Sequence, residues 1–478
     1  MASLTIRNLT IHPLELKTVE RLEGESVPEP GGLARINSTI SGFLSKNSTP
    51  SGGVKPRDNH APLSKEDIKD VVANPFETKP TNIRAADPTR EILRLTFQAP
   101  GQSHKYQVDV PGPSPRSIVM KRLDGAPHEL TAVYIPTGAY LSIFSSTNLA
   151  AWMKELHNDY PLSALSIPGT HNSPTCHTAL PSVRCQAVGV KEQLDNGVRF
   201  FDIRVSANTD NDDLALVHAV FPISLTGNKY FHDMLKDIYG FLDRNPSETL
   251  LMSVKREGTG KGTDQHLSRY LHKRYCGGND ARRWFTEPRI PKLGEARGKI
   301  VLVRRFNSDD SLRGEHGGKG WGIDAASWPD NCADGECGSK LIRVQDFYEV
   351  DQSTNIEKKI ELARAHLERA GQQLFNIAAV GAQQAAAAGS TLPFFVNFLS
   401  ASNFFNASCW PEKIAGKVNP AVIEYLCMRH AEHGKGPGKL TVGDASTGIV
   451  VTDWVGHNGD WDLIRCIVGW NARLQLKK

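Results

Sequence analysis

Residues 163–181 read SALSIPGTHNSPTCHTALP, a stretch in which a histidine follows directly on an apolar run of strand length. The apolar run ends at Ile167, and Pro168 and Gly169 then predict a break in the strand. His171 comes next, so its imidazole is expected just beyond the carboxyl end of a strand, where α/β folds carry their chemistry. A single histidine of this kind is more typical of a surface turn. Its meaning therefore depends on partners elsewhere in the chain.

The composition is that of an ordinary soluble globular protein with room for two domains. The chain has 478 residues, 39% of them hydrophobic and 23% charged, and a net charge of +4 that does not require a nucleic-acid partner. No run approaches the roughly 20 apolar residues of a membrane helix, and we see no signal peptide. We expect a monomer that is cytoplasmic or peripheral to a membrane, with secretion by another route left open.

The eight cysteines do not form the framework of a disulfide-rich domain. Cys176 with Cys185, and Cys332 with Cys337, are close enough in sequence to bridge in an oxidising environment. These pairs lack the doubled CxxC spacing of a zinc site. We expect free thiols that bind no metal.

Residues 1–148 predict a smaller all-β, sandwich-like domain. The alternation of residues 4–16 indicates one or two strands, and further strand-like runs follow at 91–97, 105–110, 117–123 and 131–145. The absence of helical patterns between these runs favours an antiparallel sandwich or a small barrel. From about 23 to 87 the sequence is rich in Gly, Pro, Ser, Asn and charge, which predicts a long polar loop with a short helix at 64–67. No catalytic constellation occurs in this domain.

Residues 149–478 alternate strands with amphipathic segments and predict an α/β fold, a distorted TIM-type (β/α) barrel. Helices are expected at 230–243 and 353–371, and the alanine-rich run 383–388 is expected to end a helix. The predicted strands are 162–167, 198–205, 214–217, 249–254, 299–305, 393–399 and 448–454.

Five strand candidates carry apolar residues early on one face and polar residues late on the same face. One such segment would be explained by a salt bridge, but five together predict a site at the mouth of a barrel. These polar residues and two histidines from neighbouring segments are expected to converge at that mouth. They are His171, Asp202, Arg204, His218, Lys255, Arg305, Asp346 and Asp453.

Two histidines that flank an arginine suit the cleavage of a phosphodiester. One imidazole removes a proton from the attacking oxygen, the other protonates the leaving oxygen, and Arg204 binds the phosphoryl oxygens. Asp202 and Asp453 are available to fix the histidine tautomers. The cations Arg204 and Lys255 would repel a divalent ion, so we expect a site without metal or cofactor.

The same residues lie in motifs that resemble the catalytic X domain of phosphatidylinositol-specific phospholipase C in its bacterial, metal-independent form. The resemblance covers about residues 160–470 and leaves out the first 150. The motifs occur in family order and are LSIPGTHNS, GVRFFDIR, LALVHAV, NPSETLLMSVKRE, ARGKIVLVRRF, SWPDN, VQDFYEV and GIVVTDWV.

This resemblance implies a role for each residue. His171 is the implied general base on the inositol 2-hydroxyl, with Asp453 behind it, and His218 the general acid to the diacylglycerol oxygen, oriented by Asp202. Arg204 would stabilise the phosphate. The products would be diacylglycerol and inositol 1,2-cyclic phosphate, released at a membrane surface that contains phosphatidylinositol. The residues implied to bind the inositol phosphate headgroup are Asn172, Lys255, Arg305, Asp346, Tyr348 and Trp328.

The chain departs from the family pattern in two ways. Asn172 stands where bacterial members usually have aspartate, which places the acid step at His218 in question. Insertions occur at 176–185 and 313–333, and the Gly-rich segment of the second is interpreted as a rim loop. Rim aromatics that could dip into a bilayer are Trp284, Phe285, Trp321, Phe404 and Phe405, although isolated aromatics are more often core.

Other functions remain open at this point. The substrate could be a glycosylated phosphatidylinositol anchor or another phosphodiester lipid, and the barrel could instead be a catalytically weak membrane-binding module. A glycerophosphodiester phosphodiesterase would require a carboxylate-rich metal site, which this pattern lacks.

Overall fold

The computed structural model describes residues 2–27, 53–57, 61–112, 117–375, 392–434 and 442–476. The chain forms two compact units, residues 1–147 and 148–478. Within the described residues no helix has both the length and the apolarity needed to cross a membrane. The alanine-rich run 383–388 and the predicted loop between 28 and 52 lie outside the described residues.

The first unit consists of strands in two sheets. One sheet has the order β6-β1-β12-β11-β9, and the other has the order β10-β8-β7-β2-β3, with β4 and β5 also pairing with β2. The strands are β1 Ser3–Leu9, β2 Leu14–Ser26, β3 Val54–Pro56, β4 Ser64–Asp67, β5 Val72–Ala73, β6 Thr78–Arg84, β7 Glu91–Gln98, β8 Lys105–Val110, β9 Ile118–Val119, β10 Lys121–Leu123, β11 Leu130–Ile135 and β12 Tyr140–Ser145.

Side chains from both sheets share one core in this unit, including Ile6 and Leu141 from one sheet and Leu16 and Phe97 from the other. The prediction of a purely antiparallel sandwich is not confirmed, because β1 and β12 pair in parallel. The predicted polar loop is wrong for much of 53–87, and the predicted helix at 64–67 is strand β4, paired with β2. Here ladder pairing with a long neighbouring strand outweighs local composition.

The second unit holds a twelve-stranded sheet with helices between its strands. Its strands are β13 Ile167–Thr170, β14 Phe200–Ser206, β15 Ala215–His218, β16 Phe221–Pro222, β17 Leu250–Arg256, β18 Trp284–Phe285, β19 Ile300–Arg305, β20 Ile323–Asp324, β21 Gly335–Cys337, β22 Ile342–Gln345, β23 Phe394–Phe398 and β24 Ile449–Thr452. Its helices are α1 Val190–Asp195, α2 Phe231–Arg244, α3 Asp264–Tyr270, α4 Leu293–Ala296, α5 Glu315–Gly318, α6 Asn355–Gly371, α7 Pro411–Met428, α8 Asp462–Gly469 and α9 Ala472–Gln475.

The parallel part of this sheet runs in the order β19-β17-β14-β13-β24-β23-β22. In the described residues the ladder does not close into a ring. Beyond β19 it continues to β20, and beyond β22 it ends in the antiparallel strand β21. The two edges nevertheless approach each other, because a Cβ on Gly338 would collide with the backbone carbonyl of Asp324. The architecture is a distorted barrel whose parallel strands all end at one mouth.

The strand before the central histidine differs from the prediction. Residues Leu162–Ala164 form a 3-10 turn, and strand β13 begins at Ile167 and continues through Pro168 and Gly169. The Pro168 carbonyl accepts a hydrogen bond from the Arg199 amide at 2.8 Å. A Cβ on Gly169 would lie 3.0 Å from Phe200 side-chain atoms, so only glycine lets β13 fit beside β14 without a shift. The Pro-Gly pair is therefore part of a crowded central strand.

Candidate active site

His171 lies directly after β13, beside the end of β24. Its backbone amide donates to the Thr452 carbonyl at 2.9 Å, and its Nδ1 lies 3.0 Å from Oδ1 of Asp453. Gln186 fixes the same corner by donating from Nε2 to the His171 carbonyl at 2.7 Å. Burial disfavours the imidazolium, but Asp453 and Cys185 outweigh it and raise the pKa of His171 well above its ordinary value. The predicted pairing of His171 with Asp453 is formed.

His218 ends β15 and faces His171 across the mouth. The two rings are nearly perpendicular, with centroids 5.8 Å apart. Nδ1 of His218 lies 2.8 Å from the Val183 carbonyl oxygen and 3.6 Å from Sγ of Cys185. Burial lowers the pKa of His218, whereas the Cys185 sulfur raises it by more, so the net shift is upward.

The predicted orienting contact from Asp202 to His218 is wrong. Asp202 is buried, and its carboxylate receives hydrogen bonds from Arg204 at 3.1 Å and from the Asn172 amide at 3.0 Å. The Val183 carbonyl holds His218 in its place. Arg204, two residues further along β14, and Arg305, 3.5 Å away, place two guanidinium groups beside the Asp202 carboxylate.

Arg204 lies at the end of β14 between two carboxylates. Its Nε and one terminal nitrogen donate to Asp202, and its other terminal nitrogen donates to Glu257 at 3.0 Å. Lys255 also binds Glu257, with Nζ 2.8 Å from Oε1. Burial would raise the pKa of Glu257, but Arg204 and Lys255 lower it to about 2. Burial likewise opposes ionisation of Asp202, yet Arg204 holds the pKa of this carboxyl well below its ordinary value. Both carboxylates are thus ionised at neutral pH.

A second group of side chains lines the mouth at β19 and β22. The Arg305 guanidinium stacks on the Trp328 ring, 4.0 Å from its centroid. Trp328 donates from Nε1 to Asp346 at 2.9 Å, and Arg305 lies 3.9 Å from the same carboxylate. Arg305 also approaches Asp202, at 3.5 Å. This contact connects the second group to Arg204, so the structure brings these predicted residues into one site.

The two remaining predicted residues, Tyr348 and Asn172, differ in burial and in their hydrogen bonds. Tyr348 is half-buried beside the mouth and donates from its hydroxyl to Asp330 at 2.8 Å. Asn172 is buried with a φ of 41°, and its backbone amide donates to Asp202. Within the described part of the chain, neither polar atom of the Asn172 side chain has a hydrogen-bond partner. A buried amide of this kind costs free energy unless a ligand or water satisfies it.

Known proteins are similar to this chain in sequence. Residues 158–306 match the family described as phosphatidylinositol-specific phospholipase C, X domain. The chain is 27% identical over 359 residues to a 1-phosphatidylinositol phosphodiesterase of Staphylococcus aureus, covering 70% of this chain and 95% of that protein. A Listeria monocytogenes 1-phosphatidylinositol phosphodiesterase is 31% identical to this chain over 185 residues, which is 36% of this chain and 53% of that protein.

The fold of the second unit is also seen in a solved structure. A phosphatidylinositol-specific phospholipase C of Staphylococcus aureus superimposes with a TM-score of 0.53 at 22% identity. The match covers 68% of this chain and 97% of that structure. It supports the distorted barrel of the second unit.

Four contributors to this site are not predicted from the sequence. Glu257 shares a strand face with Lys255, which was the signal that could have identified it. No sequence pattern predicts a role for Gln186 or the Val183 carbonyl, because both lie in the loop between β13 and α1. Cys185 was considered for a disulfide, but in the structure it is a buried free thiol, as expected for unpaired cysteines.

Cys185 places a thiol between the two histidines of the site. Burial opposes ionisation of this thiol, yet His218 and His171 lower its pKa to about 7. Ligand atoms of His171, Cys185 and His218 all lie within 4.8 Å of one another. These three residues could hold a metal ion.

The predicted rim aromatics divide into two groups. Trp284, Phe285 and Trp321 are buried in the core of the second unit. Phe405 is 95% exposed and Phe404 43% exposed, and Phe404 stacks on Phe221 with centroids 5.7 Å apart. Phe221 follows His218 by three residues, so these rings lie beside the mouth. Val220 and Leu225, from the same loop as Phe221, are also exposed, at 57% and 61%.

Proposed function

We propose that this chain is a phosphatidylinositol phosphodiesterase that releases diacylglycerol and inositol 1,2-cyclic phosphate by acid-base catalysis without a metal. The observation that carries the proposal is the pair His171 and His218, with ring centroids 5.8 Å apart and Nδ1 of each ring held by a separate acceptor. The 1-phosphatidylinositol phosphodiesterases of Staphylococcus aureus and Listeria monocytogenes support the same substrate class.

The two histidines divide the proton transfers. With Nδ1–H donated to Asp453, Nε2 of His171 is the basic nitrogen that accepts the proton of the inositol 2-hydroxyl. The oxygen then attacks phosphorus, and the bond from phosphorus to the diacylglycerol oxygen breaks. His218 protonates that leaving oxygen from Nε2, since its Nδ1 faces Val183. The raised pKa of His218 favours the protonated form that this step requires.

Arg204 stabilises the charge on the phosphoryl group. A guanidinium has five N–H donors, and the bonds to Asp202 and Glu257 use three of them. One N–H on each terminal nitrogen is then left to bind two phosphoryl oxygens side by side. Because Asp202 and Glu257 hold the group in place, it needs no rearrangement as charge develops.

The second group of side chains supplies the inositol pocket. Arg305 offers donors and Asp346 offers acceptors, which matches a ring of hydroxyl groups that do both. Tyr348 and Trp328 add aromatic surface for the apolar ring face, and Lys255 lies at the exposed side of the Arg204 cluster. The unsatisfied amide of Asn172 provides one further polar contact for substrate or water.

The exposed apolar side chains beside the mouth favour a lipid surface as the place of action. Val220, Leu225, Phe404 and Phe405 lie on loops that follow strands of the barrel and are exposed to solvent. Insertion of these side chains would bring a headgroup to the histidines while its acyl chains remain in the bilayer. We accordingly propose a peripheral-membrane enzyme.

The decisive experiment is a lipid panel assayed in excess chelator. Vesicles of phosphatidylinositol should yield cyclic inositol phosphate at an undiminished rate when the chelator is present, whereas phosphatidylcholine and sphingomyelin vesicles should not react. Activity that vanishes with chelator and returns with calcium would refute the metal-free mechanism. Vesicle binding without product would refute the enzyme assignment and favour a binding module.

A further inference from the structure

Three soft or borderline metal ligands converge where the acid-base pair lies. One ring nitrogen of His171, one of His218 and the Cys185 sulfur lie within 4.8 Å of one another. The proposed catalytic steps do not involve the Cys185 thiol. Cys185 is completely buried, whereas the His171 side chain is 12% exposed, so a small ion would reach the sulfur through the mouth.

Each of the three candidate metal ligands is held in place by hydrogen bonds to neighbouring groups, as metal ligands in proteins usually are. Histidines that bind zinc almost always donate their other N–H to a carboxylate or a backbone carbonyl. His171 has Asp453 at 3.0 Å, and His218 has the Val183 carbonyl at 2.8 Å. The Cys185 backbone is fixed at both ends, since its amide donates to Thr175 at 3.1 Å and its carbonyl accepts from the Trp454 amide at 2.9 Å.

The charge around the cluster does not oppose a cation. Three basic side chains at the mouth, Arg204, Lys255 and Arg305, are each paired with at least one of three carboxylates. Those carboxylates are Asp202, Glu257 and Asp346, so the positive and negative charges balance. Asp453 then adds a negative charge behind His171.

We propose that His171, Cys185 and His218 form a Zn²⁺ site with one open position, and that zinc bound there switches the enzyme off by occupying both catalytic imidazoles. Two nitrogens and one thiolate suit zinc better than calcium or magnesium, which prefer oxygen ligands. Zinc is an inhibitor in this scheme. Inhibition rests on the proposed function, whereas zinc binding does not.

The first test is binding to the full chain, measured by competition with a zinc-binding dye. Wild type should bind one Zn²⁺ that Cys185→Ser binds about 100-fold or more weakly, since even outer-shell changes cost about 10–100-fold. Co²⁺ should show thiolate-to-metal charge-transfer absorption in wild type that disappears in Cys185→Ser. The matched control is Cys176→Ser, a thiol at the start of the same insertion, which should leave both signals unchanged.

A second ligand variant guards against misfolding of the first. His171→Gln should weaken zinc binding to a similar degree, whereas His177→Gln, a histidine of the same loop outside the cluster, should not. Zinc should also raise the melting temperature of wild type more than that of Cys185→Ser. Equal zinc affinity in wild type and Cys185→Ser, or loss of the cobalt band in Cys176→Ser, would overturn the proposal.

The final arm is activity on phosphatidylinositol vesicles. Zinc should abolish cleavage by wild type, chelator should restore it, and Cys185→Ser should need about 100-fold or more zinc for the same fractional inhibition of its own rate. Zinc binding to an enzyme that never cleaves the lipid would refute the proposed function and leave the metal site standing. Full activity with the site saturated by zinc would refute the inhibitory role.

Discussion

Nδ1 of His171 lies 3.0 Å from Oδ1 of Asp453, although 282 positions separate the two residues. The parallel register explains this contact, because Thr170 at the end of β13 pairs with Thr452 at the end of β24. His171 directly follows Thr170, and Asp453 directly follows Thr452. The sheet therefore delivers a base and its carboxylate partner to the same point. The register of the two strands brings the residues together, and Gln186 of the loop after β13 donates to both His171 and Asp453.

The Asp453 contact sets the pH dependence of the base. Asp453 raises the pKa of His171 against the opposing effect of burial, so the Asp453→Asn substitution should lower that pKa. Because His171 acts in its neutral form, the acid limb of the rate profile should move to lower pH, while the maximal rate falls by about 10²–10⁴-fold, the range of acid-base effects. The pH profile of kcat/KM measures both, and Asp310→Asn, an exposed ion-paired carboxylate, is the control. An unmoved acid limb would contradict the pairing.

Removal of either imidazole should abolish most of the rate. His171→Ala and His218→Ala are each expected to lose about 10²–10⁴-fold in kcat, since each takes away one proton transfer. His157→Ala removes a histidine that is 61% exposed and should leave kcat unchanged. Initial rates on phosphatidylinositol vesicles provide the measurement. A variant that keeps a near-normal rate excludes its histidine from the mechanism.

Arg204→Lys tests the geometry of the phosphoryl contact as distinct from its charge. Lysine keeps the charge but cannot donate two parallel hydrogen bonds while also binding Asp202 and Glu257. We expect kcat to fall about 10²-fold with a smaller change in KM, because the contact strengthens as charge develops. Steady-state kinetics distinguish this from a pure binding defect. A rise in KM alone would assign Arg204 to ground-state binding.

Phe405→Ala should weaken attachment to vesicles. Burial of a phenylalanine is worth about 1.5–3 kcal/mol, which corresponds to about 10–100-fold in partitioning. Leu374→Ala is the matched control, since Leu374 is 74% exposed but follows the carboxyl end of α6, at the opposite end of the barrel. Vesicle sedimentation measures both. Equal loss in the two variants would show that the apolar loops beside the mouth have no special role.

Glu248→Gln should destabilise the barrel, because Arg199 and Glu248 form a completely buried ion pair at 3.0 Å. Removal of one partner from a buried pair costs about 3–5 kcal/mol. Asp195→Asn, in an exposed pair with Lys191, should cost less than about 1 kcal/mol. Denaturant unfolding gives both values. A small effect of Glu248→Gln would mean that the four backbone carbonyls around Arg199 suffice to hold it.

Much of the barrel could be predicted from sequence because its strands are apolar runs of the right length. Strands β17, β19, β23 and β24 lie within or nearly within the predicted segments. The errors occur where pairing overrides local preference. Pro168 and Gly169 predict a break but form a strand, since β14 and β24 satisfy the backbone on either side, and residues 64–67 predict a helix but add to the long strand β2.

The side chains that stand at the ends of parallel strands follow from the sequence, because side-chain alternation and strand length are local properties. These patterns predict a site that the fold forms, with the residues His171, Arg204, Lys255, Arg305, Asp346 and Asp453. Apart from the pairing of His171 with Asp453, their partners follow only from the folded chain. Asp202 faces Arg204 instead of His218, the Val183 carbonyl holds His218, and Cys185 lies between the two histidines. The last two contacts join a loop to strands distant in sequence, and no local pattern encodes distances of that kind.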